Sequence, residues 1–187
     1  MVNAMVTPTS GTVFVRGADV TGADPVRLRR SIGYVLQEGG LFPHRSIADN
    51  IATVPRLEGV NKAESRERAL ELLTLVGLER EMADRYPSQL SGGQRQRVGV
   101  ARALANRADI LLMDEPFGAL DPIVRADLQR ELKEIRRALG TTILFVTHDV
   151  DEAFTLGDQV AVLSTGGRIE QVGTPAELLS SPASPFV

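Results

Sequence analysis

The sequence predicts an α/β fold in which a core of parallel strands carries a helical insert, formed by one domain over residues 1–187. The apolar run Ile110–Met113 ends in carboxylates and is typical of a strand that is covered on both faces. The order strand, helix, strand between residues 109 and 147 indicates a right-handed βαβ unit. Between residues 41 and 108 the apolar pattern changes to helical periodicity, which predicts the insert.

The composition fits one globular domain without a metal or disulfide staple. Hydrophobic residues make up 43% of the chain, and 21 basic residues face 24 acidic ones, for a net charge of −3. This balance gives no long-range attraction to nucleic acid or to an anionic membrane. The absence of cysteine excludes a thiolate metal site and is compatible with a reducing cytosol. The apolar runs are far shorter than the roughly 20 residues of a membrane-spanning helix.

The first part of the chain predicts two strands and a short helix. Gly11–Val15 and Ile32–Leu36 have the β-branched and aromatic content of strands. Between them, Asp24 followed by Pro25 predicts a helix with Asp24 as its N-cap.

The helical insert contains one strongly periodic segment, which Gly77 is expected to end. Its apolar positions recur at helical spacing and are Ala69, Leu72, Leu73 and Val76.

The second half of the chain alternates strands and helices. Asp109–Asp114 and Thr141–Thr147 are predicted as buried strands of the parallel sheet. Asp121 and Pro122 open the helix between them, and Gly140 closes it. Its apolar positions are Val124, Leu128, Leu132, Ile135 and Leu139.

The final segment predicts a hairpin and a short helix. Val160–Leu163 and Ile169–Val172 flank a Ser-Thr-Gly-Gly turn, and Thr174 with Glu177 forms a capping box.

The segment Leu90–Gln94, Leu-Ser-Gly-Gly-Gln, is the strongest candidate for a phosphate site. Gly92 and Gly93 let backbone amides approach an anion, and the start of the following helix presents unpaired N–H groups. Ser91 is placed to cap that helix and to contact a phosphate. Ser-Gly-Gly alone would strongly favour an ordinary turn with a helix cap; the whole pentapeptide changes that balance.

Asp114 and Glu115 follow a buried strand, where ligands bind in open α/β sheets. Two adjacent carboxylates need a cation, so Mg²⁺ is expected near Asp114. Glu115 would then orient or deprotonate a water that attacks a phosphate. As an isolated feature, the pair could also cap the next turn.

Three further polar residues follow strands or open a helix. Asp121 is explained as an N-cap, Gln37 could be a polar strand end, and His148 could be a solvated side chain. His148 could instead donate to a γ-phosphate. No catalytic role is assigned to His44.

Taken together, these motifs resemble those of ABC transporter ATPases, in the order found there and over essentially the whole chain. The motifs are the Q-loop Gln37, the signature Leu90–Gln94, the Walker B segment Ile110–Glu115, the D-loop Ala119–Asp121 and the switch histidine His148. The resemblance implies a P-loop NTPase-like (RecA-like) parallel sheet with an ABC helical subdomain. Its parts would be residues 1–40 of the core, residues 41–108 of the helical subdomain and residues 109–187 of the core.

The same resemblance implies roles for individual residues, with ATP and Mg²⁺ as cofactors. Glu115 and His148 would be catalytic, and Asp114 and Gln37 would ligate Mg²⁺. The nucleotide-binding residues would be Gln37, Ser91, Gly92, Gly93, Gln94 and Asp121.

Several segments, among them Gly33–Gln37 and Val172–Pro175, are similar to osmoprotectant importers, which take up glycine betaine, choline, carnitine or proline betaine. This similarity implies a second ATPase subunit, in a homodimer or heterodimer, and a transmembrane permease. It also implies an indirect link to an extracytoplasmic solute-binding protein, and a place on the cytoplasmic face of the membrane.

The sequence departs from the family pattern in one respect. The Walker A loop, G-x-x-x-x-G-K-[ST], is absent, since neither Lys62 nor Lys133 follows a glycine. By comparison with the family, Met1–Val6 would fall in the helix after that loop, so we expect an N-terminally truncated domain. A misassigned start, a fragment and a genuine short protein are the alternatives.

Three hypotheses follow for the function. The first is the ATPase subunit of an importer, and the second is a non-catalytic protomer that offers only its signature half-site to a partner ATPase. The third, an ABC ATPase that acts on nucleic acid, is disfavoured because the chain has no basic patch.

Overall fold

A computed structural model describes residues 1–118 and 120–187, and of Glu38 only the backbone. Ala119, which belongs to the predicted D-loop, lies outside the described residues. The chain forms two compact units, Met1–Val146 and Thr147–Val187.

A parallel sheet lies at the centre of the first unit. Its strands are β3 (Gly33–Val35), β4 (Ile110–Asp114) and β5 (Thr142–Val146), in the order β3-β4-β5. The register pairs Val35 with Met113 and Asp114 with Val146, so the three strands end at one edge. The predicted parallel sheet is confirmed.

The prediction that β5 is buried on both faces is wrong. Leu144 is 53% exposed and Val146 is 62% exposed, and both lie on one face of β5, which is left uncovered in the described part of the chain. There β5 also pairs only with β4 and is an edge strand. An apolar β-branched run gives the same sequence pattern in a central strand and in an edge strand.

The first strand is shorter than predicted. Residues 14 and 15 alone form β1 (Phe14–Val15), which pairs antiparallel with β2 (Ala18–Asp19). The predicted helix is confirmed as α1 (Pro25–Ser31), and the Asp24 side chain accepts hydrogen bonds from the N–H groups of Val26 and Arg27.

The region between residues 41 and 108 is helical, as predicted. Its helices are α2 (Ile47–Ile51), α3 (Thr53–Leu57), α4 (Lys62–Leu75) and α5 (Gly92–Leu104), with 3₁₀ turns at Arg80–Asp84 and Pro87–Gln89. The four apolar residues that recur at helical spacing are buried: Ala69, Leu72 and Leu73 in α4, and Val76 at its C-cap. Gly77 follows with a φ of +68°.

Helix α5 packs directly on β3 and runs antiparallel to it. A Cβ added at Gly33 would lie 2.4 Å from the carbonyl oxygen of Ala103, and one added at Gly39 would lie 2.7 Å from that of Arg95. Because α5 approaches the sheet backbone to backbone, its position relative to β3 is fixed closely. The first turn of α5 therefore points toward the edge at which the strands end.

A buried asparagine organises the loop before α2. The side chain of Asn50, which is fully buried, accepts a hydrogen bond from the N–H of Phe42 at 2.7 Å. Its amide group also donates to the carbonyl oxygens of Phe42, Arg45 and Ser46, at 3.0 to 3.1 Å.

Helix α6 (Pro122–Leu139) connects β4 to β5. Asp121 caps its start and Gly140 ends it in the left-handed conformation, both as predicted. Leu128, Leu132 and Ile135 form its buried stripe.

The second unit contains α7 (Val150–Leu156), β6 (Val160–Ser164), β7 (Arg168–Gly173) and α8 (Pro175–Ser180). Strands β6 and β7 form the predicted antiparallel hairpin. The predicted capping box is also confirmed, since Thr174 accepts from the N–H of Glu177 and the Glu177 carboxylate accepts from the N–H of Thr174. Among the described residues, no helix has the length and apolar content to span a membrane.

Replacing Asn50 by alanine is expected to lower the free energy of unfolding by about 2–4 kcal/mol, because it leaves buried backbone groups without partners. Urea unfolding at pH 7 measures this. Ser65→Ala is the matched control, since Ser65 is also buried but makes one hydrogen bond of 3.3 Å, to the carbonyl oxygen of Val60. A loss for Asn50→Ala no larger than that for Ser65→Ala would contradict the prediction.

A second prediction concerns the ion pair that joins the β1–β2 turn to the start of β4. The Arg16 guanidinium hydrogen-bonds to the Asp109 carboxylate, at 2.8 Å from Nε to Oδ2, and lowers the pKa of Asp109. A lowered pKa stabilises the fold above the unfolded value of about 3.9 and loses that effect as pH falls through the folded value. The side chains are 38% and 62% exposed, so Asp109→Asn is expected to cost about 0.5–1 kcal/mol at neutral pH.

The measurement for Asp109→Asn is urea unfolding over a pH series, in which its difference from wild type should shrink as the solution becomes more acidic than about pH 4. In an Arg16→Met background, Asp109→Asn should have little further effect. A difference that stays constant with pH would show that the ion pair is not its cause.

Candidate functional site

Two adjacent carboxylates lie at the edge where the parallel strands end. Asp114 is the last residue of β4 and is exposed, and Glu115 follows it with a φ of +42°. This left-handed conformation is uncommon for a residue with a side chain. The N–H of Glu115 donates to the carbonyl oxygen of Val146 at 2.9 Å, so the end of β5 holds the Glu115 backbone in place.

The residues after Glu115 turn sharply. Pro116 and Phe117 are buried, and the N–H of Gly118 donates to the carbonyl oxygen of Glu115 at 3.2 Å. A Cβ at Gly118 would lie 3.4 Å from Oε2 of Glu115. The Glu115 side chain therefore lies along this turn, which the buried Phe117 anchors.

Gln37 lies at the same edge of the sheet. It begins the 3₁₀ turn Gln37–Gly40, two residues after the end of β3, and it is exposed. Since Val35 pairs with Met113, the chain leaves the sheet at Gln37 on the side where Asp114 and Glu115 leave it. The structure thus places three predicted site residues at one edge.

Ser91 is the N-cap of α5, as predicted. Its hydroxyl accepts from the N–H of Gln94 at 3.2 Å, and the Gln94 side chain accepts from the N–H of Ser91 at 2.9 Å. Both residues form a reciprocal capping box at a solvent-accessible helix start. The positive end of the helix dipole and the N–H groups of its first turn are the physical basis of an anion site.

The two glycines of the signature differ in their surroundings. At Gly92 an added Cβ would meet nothing closer than 3.9 Å, so the approach to its backbone is open. At Gly93 a Cβ would lie 2.6 Å from Cγ1 of Val124, in the first turn of α6. Gly93 is therefore required for the packing of α5 on α6, a role that the sequence did not indicate.

The turn Gln37–Gly40 is attached to α5 by residues that the sequence analysis missed. Arg102 donates from Nη2 to the carbonyl oxygen of Gly39 and from Nη1 to that of Gly40, both at 2.8 Å. A Cβ at Gly99 would lie 3.0 Å from Cα of Gly39. The available signal was Gly99 itself, because a glycine inside a helical pattern often marks a close backbone approach.

Asp121 and His148 are the remaining predicted residues. The Asp121 side chain accepts from the N–H groups of Ile123 and Val124 at 3.1 Å, so its capping role is confirmed. His148 belongs to the second unit, where it is exposed and precedes Asp149, the N-cap of α7.

Comparison with known proteins gives strong matches. The family described as "ABC transporter" matches residues 1–118. The glycine betaine/carnitine/choline transport ATP-binding protein OpuCA of Bacillus subtilis is 54% identical over 187 residues, which are 100% of this chain and 49% of that protein. The chain spans about half the length of the curated relatives it matches.

Solved structures of ATP-binding cassettes are also similar to this chain. A dimeric post-hydrolysis state of the ATP-binding cassette MJ0796, bound to ADP and Pi, is similar at a TM-score of 0.78 and 34% identity, over 92% of this chain and 77% of that one. The protein cbiO1 from Clostridium perfringens, part of the ABC transporter complex cbiONQ, is similar at a TM-score of 0.85 and 29% identity, over 96% and 72%. Because the family model matches more than half of its residues, the chain belongs to the ABC transporter family.

Proposed function

We propose that the chain is the ATP-hydrolysing part of an importer for quaternary-ammonium osmoprotectants such as glycine betaine, carnitine or choline. The observation that carries this proposal is the carboxylate pair Asp114 and Glu115 at the sheet edge, beside the turn that begins with Gln37. The transported solute is inferred from the name of a relative that is 54% identical over this whole chain.

The residues at the sheet edge suit a magnesium ion. Asp114 offers carboxylate oxygens and Gln37 an amide oxygen, and both side chains are exposed. Mg²⁺ prefers such oxygen ligands and is commonly held by one or two carboxylates together with the phosphates of the substrate. When bound, the ion would neutralise developing charge on the phosphates of ATP.

Glu115 is the proposed catalytic base. Its carboxylate would accept a proton from, or orient, the water that attacks the γ-phosphate. The hydrogen bond from its N–H to Val146 fixes the backbone at this position, which limits the range of orientations open to the carboxylate. His148 is proposed to donate a hydrogen bond to the same phosphate.

The signature motif is proposed to act on the ATP that is bound to a second ATPase subunit, identical or different. Ser91 and Gly92 lie at an accessible helix start, where a hydroxyl, free N–H groups and the helix dipole favour the phosphate. Gly93 and Gln94 support this helix start, and Asp121 is proposed to contact the partner subunit. A related cassette, which was solved as a dimer with ADP and Pi, supports this arrangement.

The remaining partners follow from the importer proposal. A transmembrane permease would hold the ATPase pair at the cytoplasmic face of the membrane, and an extracytoplasmic solute-binding protein would be linked through it. Nucleic acid is not a proposed partner, since the net charge is −3.

Glu115→Gln tests the proposed hydrolysis in the complete protein as its gene encodes it, together with its permease. ATP turnover is expected to fall about 10²–10⁴-fold, because the base is lost while its shape is kept. Phosphate release measures turnover, and uptake of radiolabelled glycine betaine, carnitine and choline into proteoliposomes measures transport. The control is Glu134→Gln on the exposed face of α6, which should keep both activities.

A Glu115→Gln protein that keeps most of its turnover would refute the catalytic role. Full ATP turnover without uptake of any of the three solutes would refute the proposed class of substrate and keep the ATPase.

A mixing experiment tests whether the signature acts on the partner's ATP. Ser91→Arg should block the phosphate site at the start of α5, and alone it should lower turnover strongly, as is expected for Glu115→Gln. A dimer with one subunit of each kind would contain one site with both defects and one intact site, so mixing the variants should restore part of the wild-type rate. No recovery, despite exchange of subunits shown by differently tagged proteins, would mean that the signature does not act across the interface.

A further inference from the structure

Arg102 links the signature helix to the turn that begins with Gln37. Its guanidinium reaches from the last turns of α5 to two successive carbonyl oxygens, those of Gly39 and Gly40, at 2.8 Å each. A planar guanidinium can hold two acceptors at once in a fixed geometry, which an ammonium group cannot do. The arrangement therefore fixes both the position and the direction of the turn.

Arg102 is partly removed from water, so the two hydrogen bonds to the turn replace part of its hydration. The side chain is partly buried, and burial lowers its pKa. Among the residues whose side chains are described, Arg102 hydrogen-bonds to the carbonyl oxygens of Gly39 and Gly40 and lies over the ring of Phe42, with Cζ 6.0 Å from the ring centroid. A cation partly removed from water depends on such partners, so these two hydrogen bonds help to hold Arg102 against the turn.

The backbone conformation of the Gln37–Gly40 turn and the absence of a side chain at Gly99 allow this contact. Gly39 and Gly40 have φ values of +77° and +54°, which direct successive carbonyls to the same side. Gly99 lets the turn lie against α5, because a Cβ there would be 3.0 Å from Cα of Gly39. The turn thus contacts α5 through backbone packing at Gly99 and through hydrogen bonds at Arg102.

We propose that Arg102 is a positioning residue for Gln37, which clamps the Gln37–Gly40 turn to α5 so that Gln37 keeps a fixed place relative to the helix and to the strand ends. This inference rests on the proposed function for the role of Gln37 toward Mg²⁺ and ATP. The clamp itself is a property of this chain's own residues and can be measured without nucleotide.

The physical consequence is a fixed relation between Gln37, which is proposed to serve this chain's own ATP, and Ser91, which is proposed to contact the partner's ATP. Ser91 caps the first turn of α5, and Arg102 lies three turns later on the same rigid helix. Because α5 is packed closely on β3, and β3 pairs with β4, the clamp would hold Gln37 at a fixed place relative to Asp114 as well. Without the two hydrogen bonds, the turn would be held less closely against α5.

Hydrogen–deuterium exchange of the complete protein without nucleotide measures the clamp. Arg102→Met keeps much of the apolar stem and removes both donors, and amide exchange in residues 37–42 is expected to become about tenfold faster. Arg102→Lys should give an intermediate rate. Gly99→Ala should also speed exchange there, since its Cβ would push the turn away while Arg102 remains.

Arg97→Met is the matched control. Arg97 is also a partly buried arginine of α5, but it contacts Glu131 and the carbonyl oxygen of Val76 rather than the turn. This variant should lower stability without faster exchange in residues 37–42. Equal exchange of those residues in Arg102→Met and wild type, or the same increase in Arg97→Met, would overturn the clamp.

The role toward the ATP site is measured by the Mg²⁺ dependence of ATP turnover. Arg102→Met is expected to raise the half-saturating Mg²⁺ concentration about tenfold, because Gln37 is no longer held in place. A merely structural role would lower the amount of active protein and leave this concentration unchanged, which would overturn the positioning role. If wild type itself shows no turnover, the proposed function fails, and the exchange experiment still decides the clamp.

Discussion

The close backbone approach of α5 to β3 and to the turn after it is the constraint on which the arrangement of the site depends. Gly33, Gly39 and Gly99 lie where a Cβ would collide with backbone or core atoms at 2.3 to 3.0 Å. Packing at this distance leaves little freedom for the helix to slide or rotate, because protein interiors are dense and yield little. The start of α5, with its N-cap Ser91, is therefore held in a defined place relative to the strand ends.

The second determinant is the common edge of the parallel strands. Parallel register brings the ends of β3, β4 and β5 together, and with them Gln37, Asp114 and Glu115. Glu115 leaves the sheet in a left-handed conformation that the hydrogen bond to Val146 supports. Such local strain is common at functional sites, where surrounding structure fixes a backbone that would not adopt it alone. Here the neighbouring strand supplies that support.

Features that depend on a few neighbouring residues could be predicted. The caps Asp24, Ser91 and Asp121 and the capping box at Thr174 were confirmed, since each needs only a short side chain and the N–H groups two or three residues later. The position of Gln37, Asp114 and Glu115 at the strand ends could also be predicted, because each follows a strand in the sequence. The exposure of β5 could not be predicted, since it depends on which elements pack against the faces of the strand.

The sequence by itself determined where the capped helices α1, α5 and α6 begin, and which polar residues follow the strands, because these depend on local capping and periodicity. Only the tertiary structure decided that Gly93 serves the packing on Val124, that Gly99 admits the turn at Gly39, and that Arg102 binds the carbonyls of that turn. These contacts join residues that are distant in the chain, up to 63 positions apart, so no local pattern contains them. They arise when α5 packs on α6 and on the turn after β3, and that packing places the start of α5 relative to the strand ends.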